Sequence, residues 1–425
     1  MIVTPAVGQH SLREQNIALV ARAVVDAAAP PSRSDIATST GLTRATVSSL
    51  VDRLVEARIV AELPPVASRR AGRPAVPLVP ARGTLVGIGL EINVGHLAGV
   101  VLDLAGDTLA SETLHGDFHG SDPAATLALL GALTGRLLAT ARADHASLRV
   151  AGVQVAVPGL VEPGTSTLRV APNLGWADLE VDTSAVAEHT GDALVTLSNE
   201  ANLAALAQVP WQGRHVDVPD SFLYVSADVG IGAAIVLDRE LFVGGRGWSG
   251  ELGHVVVDPA GPLCPCGATG CLEQYAGTDA VLRAAGLPRD AGVRSLLAPA
   301  RRASGADDPD EGRDGPAADL PPALPAAPAS AASAAALDRA GHALGATLAD
   351  FVNLIDVPAI VLGGAYSDLA DHLAPIVHAE LTTRVLSAPW STFSVVRAPV
   401  AGAAATVGGA RQVLRSVVED PTAWL

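Results

Sequence analysis

The chain of 425 residues has no lysine, and all 28 of its basic side chains are arginines, a bias of coding rather than of chemistry. Aromatic residues are only 3%, so a large core has to be built from alanine, valine and leucine. Cysteine is scarce: three occur, at 264, 266 and 271. An odd number clustered so tightly excludes a disulfide-stapled secreted scaffold and suits a metal in a reducing compartment. Charged residues are 17% against 49% hydrophobic, with a mean hydropathy of +0.35, which excludes a disordered chain or a collagen. No stretch of about 20 apolar residues is free of charge or of Gly and Pro breaks, so no membrane span is expected. Arg13, Glu14, Arg22 and Asp26 interrupt the apolar core that a signal peptide would need. The expectation is a soluble, cytoplasmic protein of two or three domains, at about 100–200 residues each.

The net charge of −16 is unevenly spread. Residues 1–82 hold ten arginines and six acids, a net of +4, and the remainder carries −20. A small basic head on a large acidic body suggests that only the head meets a polyanion.

The pattern within the head agrees. Apolar residues from Ser11 to about Ala28 predict a mostly buried helix that Pro30-Pro31 stops. Ser34-Asp35 can cap a short second helix, Ile36 to Thr40, ended by Gly41. Thr43 can cap a third, Arg44 to about Arg58, with Val47, Leu50, Val51, Leu54 and Val55 facing inward. Two helices joined by a tight turn make a helix-turn-helix. Thr43, Arg44, Thr46, Ser48 and Ser49 then stand where base edges and phosphates are read in a major groove. Ile59 to Leu63 and Val76 to Val79 can pair as a hairpin whose tip carries Arg69, Arg70 and Arg73, a wing suited to a narrow minor groove. The plainer alternative is a three-helix bundle used for protein contacts. Double-stranded DNA is the expected partner.

The body alternates β-branched runs with helical stretches near 123–143, 200–208, 335–355 and 368–385, an α/β pattern. The runs are Leu85 to Leu90, Leu97 to Leu104, Val150 to Val157, Ala193 to Ser198, Phe222 to Val225 and Ala233 to Leu237. A tract rich in Pro, Ala and Asp at about 304–333 cannot bury a core and reads as a disordered insert. The sharpest chemical signal is Gly250-Glu251-Leu252-Gly253-His254 followed by Cys264, Cys266 and Cys271. Three thiolates and an imidazole, His254, form a closed tetrahedral set, which points to structural zinc with no open position for water. Three buried, unligated thiols are the alternative.

With these residues in view, the chain from about 84 to 425 resembles the ROK family of repressors and sugar kinases. Residues 1–82 resemble the winged helix-turn-helix of that family's repressor branch. Gly-Glu-x-Gly-His, Cys-x-Cys-Gly-x-x-Gly-Cys-x-Glu and Val361-Leu362-Gly363-Gly364 carry the resemblance. It implies a duplicated actin-like (RNase H-like) α/β body with a sugar cleft between its lobes, assembled as a homodimer or homotetramer. It further implies sugar contacts for Asn199, Glu200, Glu251, His254 and Glu273. Asn173 is a further candidate, for which a simple turn role reads as well.

Departures from the kinase pattern matter here. The first phosphate loop reads Glu91-Ile92-Asn93-Val94-Gly95 where Asp-x-Gly-x-Thr is usual, and the second reads Asp228-Val229-Gly230-Ile231-Gly232 where Gly-Thr-Gly-x-Gly is usual. Glu200 stands where the catalytic Asp would be. A longer side chain displaces the carboxylate by about 1 Å, which can cost about 100-fold in rate. The expectation is a regulator and not an enzyme, most simply a repressor released by a sugar or sugar phosphate. An ATP-dependent sugar kinase and a scaffold with a vestigial cleft are the alternatives.

Overall fold

The computed structural model describes residues 9–65, 75–211, 218–297 and 328–425. The wing-tip arginines 69, 70 and 73 and positions 304–327 of the expected insert lie outside the described residues.

Helices α1 (Gln9–Val25), α2 (Arg33–Thr40) and α3 (Arg44–Glu56) come first. The cap of α2 is Ser32, not Ser34. Ser32 and Asp35 satisfy each other's backbone N–H groups in a capping box, which Ser34 cannot do from inside the helix. Gly41, at φ +73°, ends α2 in the left-handed conformation, and Thr43 caps α3 by accepting from the Thr46 N–H at 3.1 Å. Arg33 ties α2 to Asp52 of α3 at 2.6 Å and to Glu62. Strands β1 (Val60–Glu62) and β2 (Leu78–Pro80) pair antiparallel, and the Leu78 N–H donates to the Pro31 carbonyl at 2.9 Å. This is a winged helix-turn-helix.

The body begins with β3 (Leu85–Ile92), β4 (His96–Asp103), β5 (Thr108–His115), α4 (Pro123–Asp144) and β6 (Arg149–Val157). A small antiparallel sheet follows, made of β7 (Leu160–Val161), β8 (Thr167–Ala171) and β9 (Trp176–Glu180). Then come α5 (Ser184–Thr190), β10 (Val195–Asn199) and α6 (Glu200–Leu206). The second half holds β11 (Phe222–Ala227), β12 (Ile231–Leu237), β13 (Glu240–Phe242), α7 (Glu273–Ala276), α8 (Thr278–Ala284) and α9 (Ala331–Ile355). It closes with β14 (Ala359–Gly364), α10 (Ala365–Arg384), β15 (Ser394–Arg397) and α11 (Ala404–Glu419).

The two large sheets repeat one plan. Their orders are β10-β6-β3-β4-β5 and β13-β12-β11-β14-β15. In each, the first strand is central, the next two lie on one side, and two strands parallel to the first lie on the other. That is the duplicated actin-like α/β body.

Contacts divide the chain into two units, one of residues 1–220, 234–249 and 399–425 and the other of 221–233 and 250–398. In the first, one cluster of buried side chains runs without a break from Ile17, Val20 and Val24 of α1 and Leu54 of α3 to Leu85 of β3, Leu102 of β4 and Leu414 and Val417 of α11. Helix α11 reaches that position through glycine. A Cβ at Gly89 would collide with the Thr406 carbonyl, and one at Gly408 with that of Leu203. Helix α4 is long and apolar enough, by composition, to cross a membrane, but half of that window is buried and the helix covers β4 and β5.

The expected insert ends sooner than 333. Ser330 accepts from the Ser333 N–H at 3.0 Å and starts α9 at Ala331, because the alanine run that follows is a strong helix former.

Leu414→Ala is expected to destabilise the protein by about 2–5 kcal/mol through the cavity it leaves. Denaturant titration followed by circular dichroism measures the loss. The head helices should melt with the first sheet in one transition, since they share this cluster.

Candidate functional site

His254 closes the single 3-10 turn Leu252–His254, and the three cysteines follow on the next loop. One ligand atom from each of His254, Cys264, Cys266 and Cys271 lies within 4.8 Å of all the others. Cys264 Sγ is 3.9 Å from His254 Nδ1, and Cys266 Sγ is 3.7 Å from Cys271 Sγ. The sulfur separation is far too long for a disulfide, at about 2.05 Å. It matches instead the edge, about 3.8 Å, of a tetrahedron with metal–sulfur bonds of about 2.3 Å. The loop is wound tightly: the Cys264 N–H donates to the Ala268 carbonyl and the Gly267 N–H to the Cys264 carbonyl. Gly267 and Gly270 adopt left-handed backbone, and a side chain at Gly270 would strike the Asp258 carbonyl.

Burial pushes the Cys271 thiol up to about 12, with Cys264 and Cys266 adding to the rise. Burial also raises Cys264, whereas the Ala268 N–H lowers Cys266. Cys264 and Cys271 therefore hold their protons unless a cation replaces them. The donor set therefore fits a soft divalent metal.

The same loop positions two carboxylates in the second unit. Glu251 directly precedes the His254 turn, and its Oε2 lies 3.9 Å from His254 Nε2, so the two imidazole nitrogens face different partners. Although its side chain is 43% exposed, desolvation of the carboxyl raises the Glu251 pKa; His254 opposes the rise and Glu273 adds to it. Glu273 begins α7 two residues after Cys271. A Cβ on Gly230 would collide with its carboxylate, so the 228–232 loop packs directly against Glu273. Behind it the buried Tyr366 hydroxyl donates to the Ala276 carbonyl at 2.9 Å, a partner no local motif announces.

The remaining candidates are in the first unit. Asn199 is largely occupied: its Oδ1 accepts from the Ala201 and Asn202 N–H groups at the start of α6, and its Nδ2 donates to the Gly159 carbonyl at 2.9 Å. Among the described residues its second amide proton has no partner. Glu200 is the half-buried first residue of α6, and Asn173 is exposed in the 3-10 turn Pro172–Leu174. At the end of β3 the Asn93 Oδ1 accepts from the Gly95 N–H at 3.0 Å, and Glu91 and Asn93 are buried.

Thr43, Arg44, Thr46, Ser48 and Ser49 occupy the opening of α3, with Thr43, Arg44 and Ser49 exposed. The Thr43 and Thr46 hydroxyls lie 2.8 Å apart and bond to each other. Arg44 makes no ion pair among the described residues. At the far end of α3, Arg149 donates to the Ala57 carbonyl at 2.7 Å and its guanidinium lies 5.8 Å from the centre of the Trp424 ring. This clasp joins segments remote in the chain and leaves no sequence signal.

Residues 87–416 match the ROK family. The chain is 31% identical over 277 residues to the xylose repressor of Caldicellulosiruptor bescii, an alignment covering 65% of this chain and 67% of that protein. It is 27% identical over 391 residues, 91% of this chain and 89% of the other, to the DNA-binding transcriptional dual regulator NagC of Escherichia coli. A solved ROK family transcriptional regulator, a homologue of the E. coli MLC protein, superimposes with a TM-score of 0.71 at 23% identity, over 96% of this chain and 97% of that one. A ROK family glucokinase from Streptomyces griseus superimposes with a TM-score of 0.57 at 23% identity, over 77% of this chain and 98% of its own. The fold is a winged helix-turn-helix joined to a duplicated actin-like body. The chain belongs to the ROK family, and the curated relatives named above are regulators.

Elemental analysis of the purified protein should find about one soft divalent metal per chain, and Cys271→Ser should lose it. Metal-free parent protein that retains full thermal stability would contradict the site.

Proposed function

We propose that this protein is a sugar-responsive, DNA-binding transcriptional regulator, a repressor that a sugar or sugar phosphate releases from its operator. The observation that carries this reading is the continuous hydrophobic cluster that joins α1 and α3 of the head to β3, β4 and α11 of the body. A DNA-reading head sharing its core with a ligand-binding lobe can respond to what that lobe binds. In this reading residues 1–82 are the DNA-binding domain and 84–425 the sugar-binding domain. The protein works in the cytoplasm as a homodimer or homotetramer whose paired heads read two half-sites of double-stranded DNA.

Arg44 and the hydroxyls of Thr43, Thr46, Ser48 and Ser49 are the DNA contacts around the start of α3, and Arg69, Arg70 and Arg73 are proposed as further DNA contacts. Zinc is the metal, held by His254, Cys264, Cys266 and Cys271. Its part is structural, because four protein donors complete a tetrahedron. It fixes the loop that presents Glu251 and Glu273, carboxylates suited to accept from sugar hydroxyls, and leaves His254 Nε2 for a further contact. Glu200, the spare amide proton of Asn199 and Asn173 are the proposed contacts from the first unit. Ligand releases DNA only if it binds the non-DNA-binding arrangement more tightly, since equal affinity for both shifts nothing.

The likeness to a glucokinase keeps a sugar kinase as the competing reading. Against it, the Gly95 N–H that a phosphate would use is taken by Asn93 Oδ1. Val229 brings no hydroxyl to the second loop, and Asp228 brings negative charge there.

Arg44→Ala should weaken operator binding by about 1–3 kcal/mol relative to random duplex, read in a salt series. Unchanged discrimination would mean that α3 is not the reading helix.

Glu251→Gln should leave fold, metal and operator binding intact and shift the sugar response about ten- to a hundredfold, since each hydrogen bond to a charged acceptor is worth about 1.5–3 kcal/mol. The parent should show no sugar-dependent ATP turnover; turnover abolished by Glu200→Gln would establish the kinase instead.

A further inference from the structure

Arg33 is the first residue of α2, and its guanidinium joins three elements of the head. Nη2 lies 2.6 Å from Asp52 Oδ1 on α3, and Nη1 meets Glu62 Oε1 on β1. The Arg33 side chain is 27% exposed, against 67% for Asp52 and 41% for Glu62. Ion pairs this exposed add little to stability. What the planar guanidinium does supply is direction, because its donors sit in a rigid fork.

Both carboxylates stand where direction matters. Asp52 lies four residues past Ser48 and three past Ser49, the spacings of neighbours on a helix surface. It therefore borders the part of α3 assigned above to DNA. Glu62 pairs with Leu78 in the base of the β1–β2 hairpin, where the Leu63 N–H also donates to the Pro77 carbonyl at 2.9 Å. Among the described residues, no other side-chain hydrogen bond or ion pair crosses between α2, α3 and β1. Their remaining contacts are those of the buried cluster, through Ile36, Val47, Leu54 and Val60, and apolar packing is non-directional.

We propose that Arg33 is a positioning residue for DNA recognition. Without touching the duplex, it holds Asp52 and Glu62 together and so sets α3 at one angle to the β1–β2 hairpin. The role rests on the DNA-binding reading above and adds to it a residue that acts only through the geometry of the reading helix.

The test uses the full-length, metal-loaded protein, which first selects its preferred duplex from a library of random DNA. Affinities for that duplex and for a scrambled one are then measured by fluorescence anisotropy in a salt series. Arg33→Lys keeps the charge and loses the fork. It should cut the preference for the selected duplex by about tenfold, the order of coupling within one ion-pair network. Affinity for the scrambled duplex should stay within about twofold of the parent's, since phosphate contacts are untouched. Glu62→Gln should lower the preference likewise, and the double variant should lose little more than either single one. Circular dichroism at the assay temperature should match the parent in each variant, so a loss of preference is not a loss of fold. Parent-like preference in Arg33→Lys, or additive losses in the double variant, would overturn the proposal. A salt slope smaller by about one in Arg33→Gln would make Arg33 a phosphate contact and overturn it as well. A parent protein that selects no duplex would overturn the DNA-binding reading itself, and the role of Arg33 with it.

Discussion

Helix α11 is the last long element of the chain, yet it lies against the first strand of the body and against the first helix of the head. Two glycines, 89 and 408, make this possible by letting backbone meet backbone where any side chain would collide. The apolar face of α11, through Ala410, Leu414, Val417 and Val418, then fills the space between the head and the first sheet. A cluster drawn from both ends of the sequence carries the loop-closure entropy of a long chain, a cost that grows only slowly with length. The head is therefore an extension of the first lobe's core, with Arg149 adding a polar clasp at the end of α3.

The second unit solves a different problem, the placement of two carboxylates near each other. Desolvation raises the Glu251 pKa, and the neighbouring Glu273 adds to the rise. The second unit places them with a tightly wound loop whose His254, Cys264, Cys266 and Cys271 could hold a metal ion. Cys271 and Glu273 are two residues apart, and Glu251 and His254 three, so each carboxylate is held within one turn of a ligand. Gly230 closes the arrangement from the other side.

How much of this could be read in advance follows from how local each feature is. The Cys₃His set was legible because its spacing is compact, and the cap at Thr43 because it is a one-residue signal. The cap of α2 is not the Ser34 that the sequence suggests: Ser34-Asp35 offers a competing cap two residues on, and only the reciprocal bonds of Ser32 and Asp35 decide for Ser32. Helix α11 went unread: Gly408-Gly409 looks like a break, and the reason for it, the Leu203 carbonyl, is far away in the chain. Strand β5 was missed because it is largely polar, with one buried residue among eight. The part-commitment of Asn199 to capping α6 was available in principle, since Asn before a helix is a standard N-cap.

The proposed choice of sensing over phosphoryl transfer rests on the same kind of local detail. A phosphate loop works by leaving backbone N–H groups unpaired and aimed at an anion. In this chain an asparagine side chain turns back and consumes the Gly95 N–H at the end of β3. What remains is a parallel pair, β6 and β10, that ends at Asn199 and Gly159 on one side. On the other side β6 begins at Arg149, which grips the carbonyl after α3. In the proposed regulator these bonds would be the route by which a change at the Asn199 end reaches α3. To carry DNA binding from 1:99 to 99:1, a ligand must distinguish the two arrangements by about 5.5 kcal/mol. Two or three charge-assisted hydrogen bonds, made in only one arrangement, are enough for that.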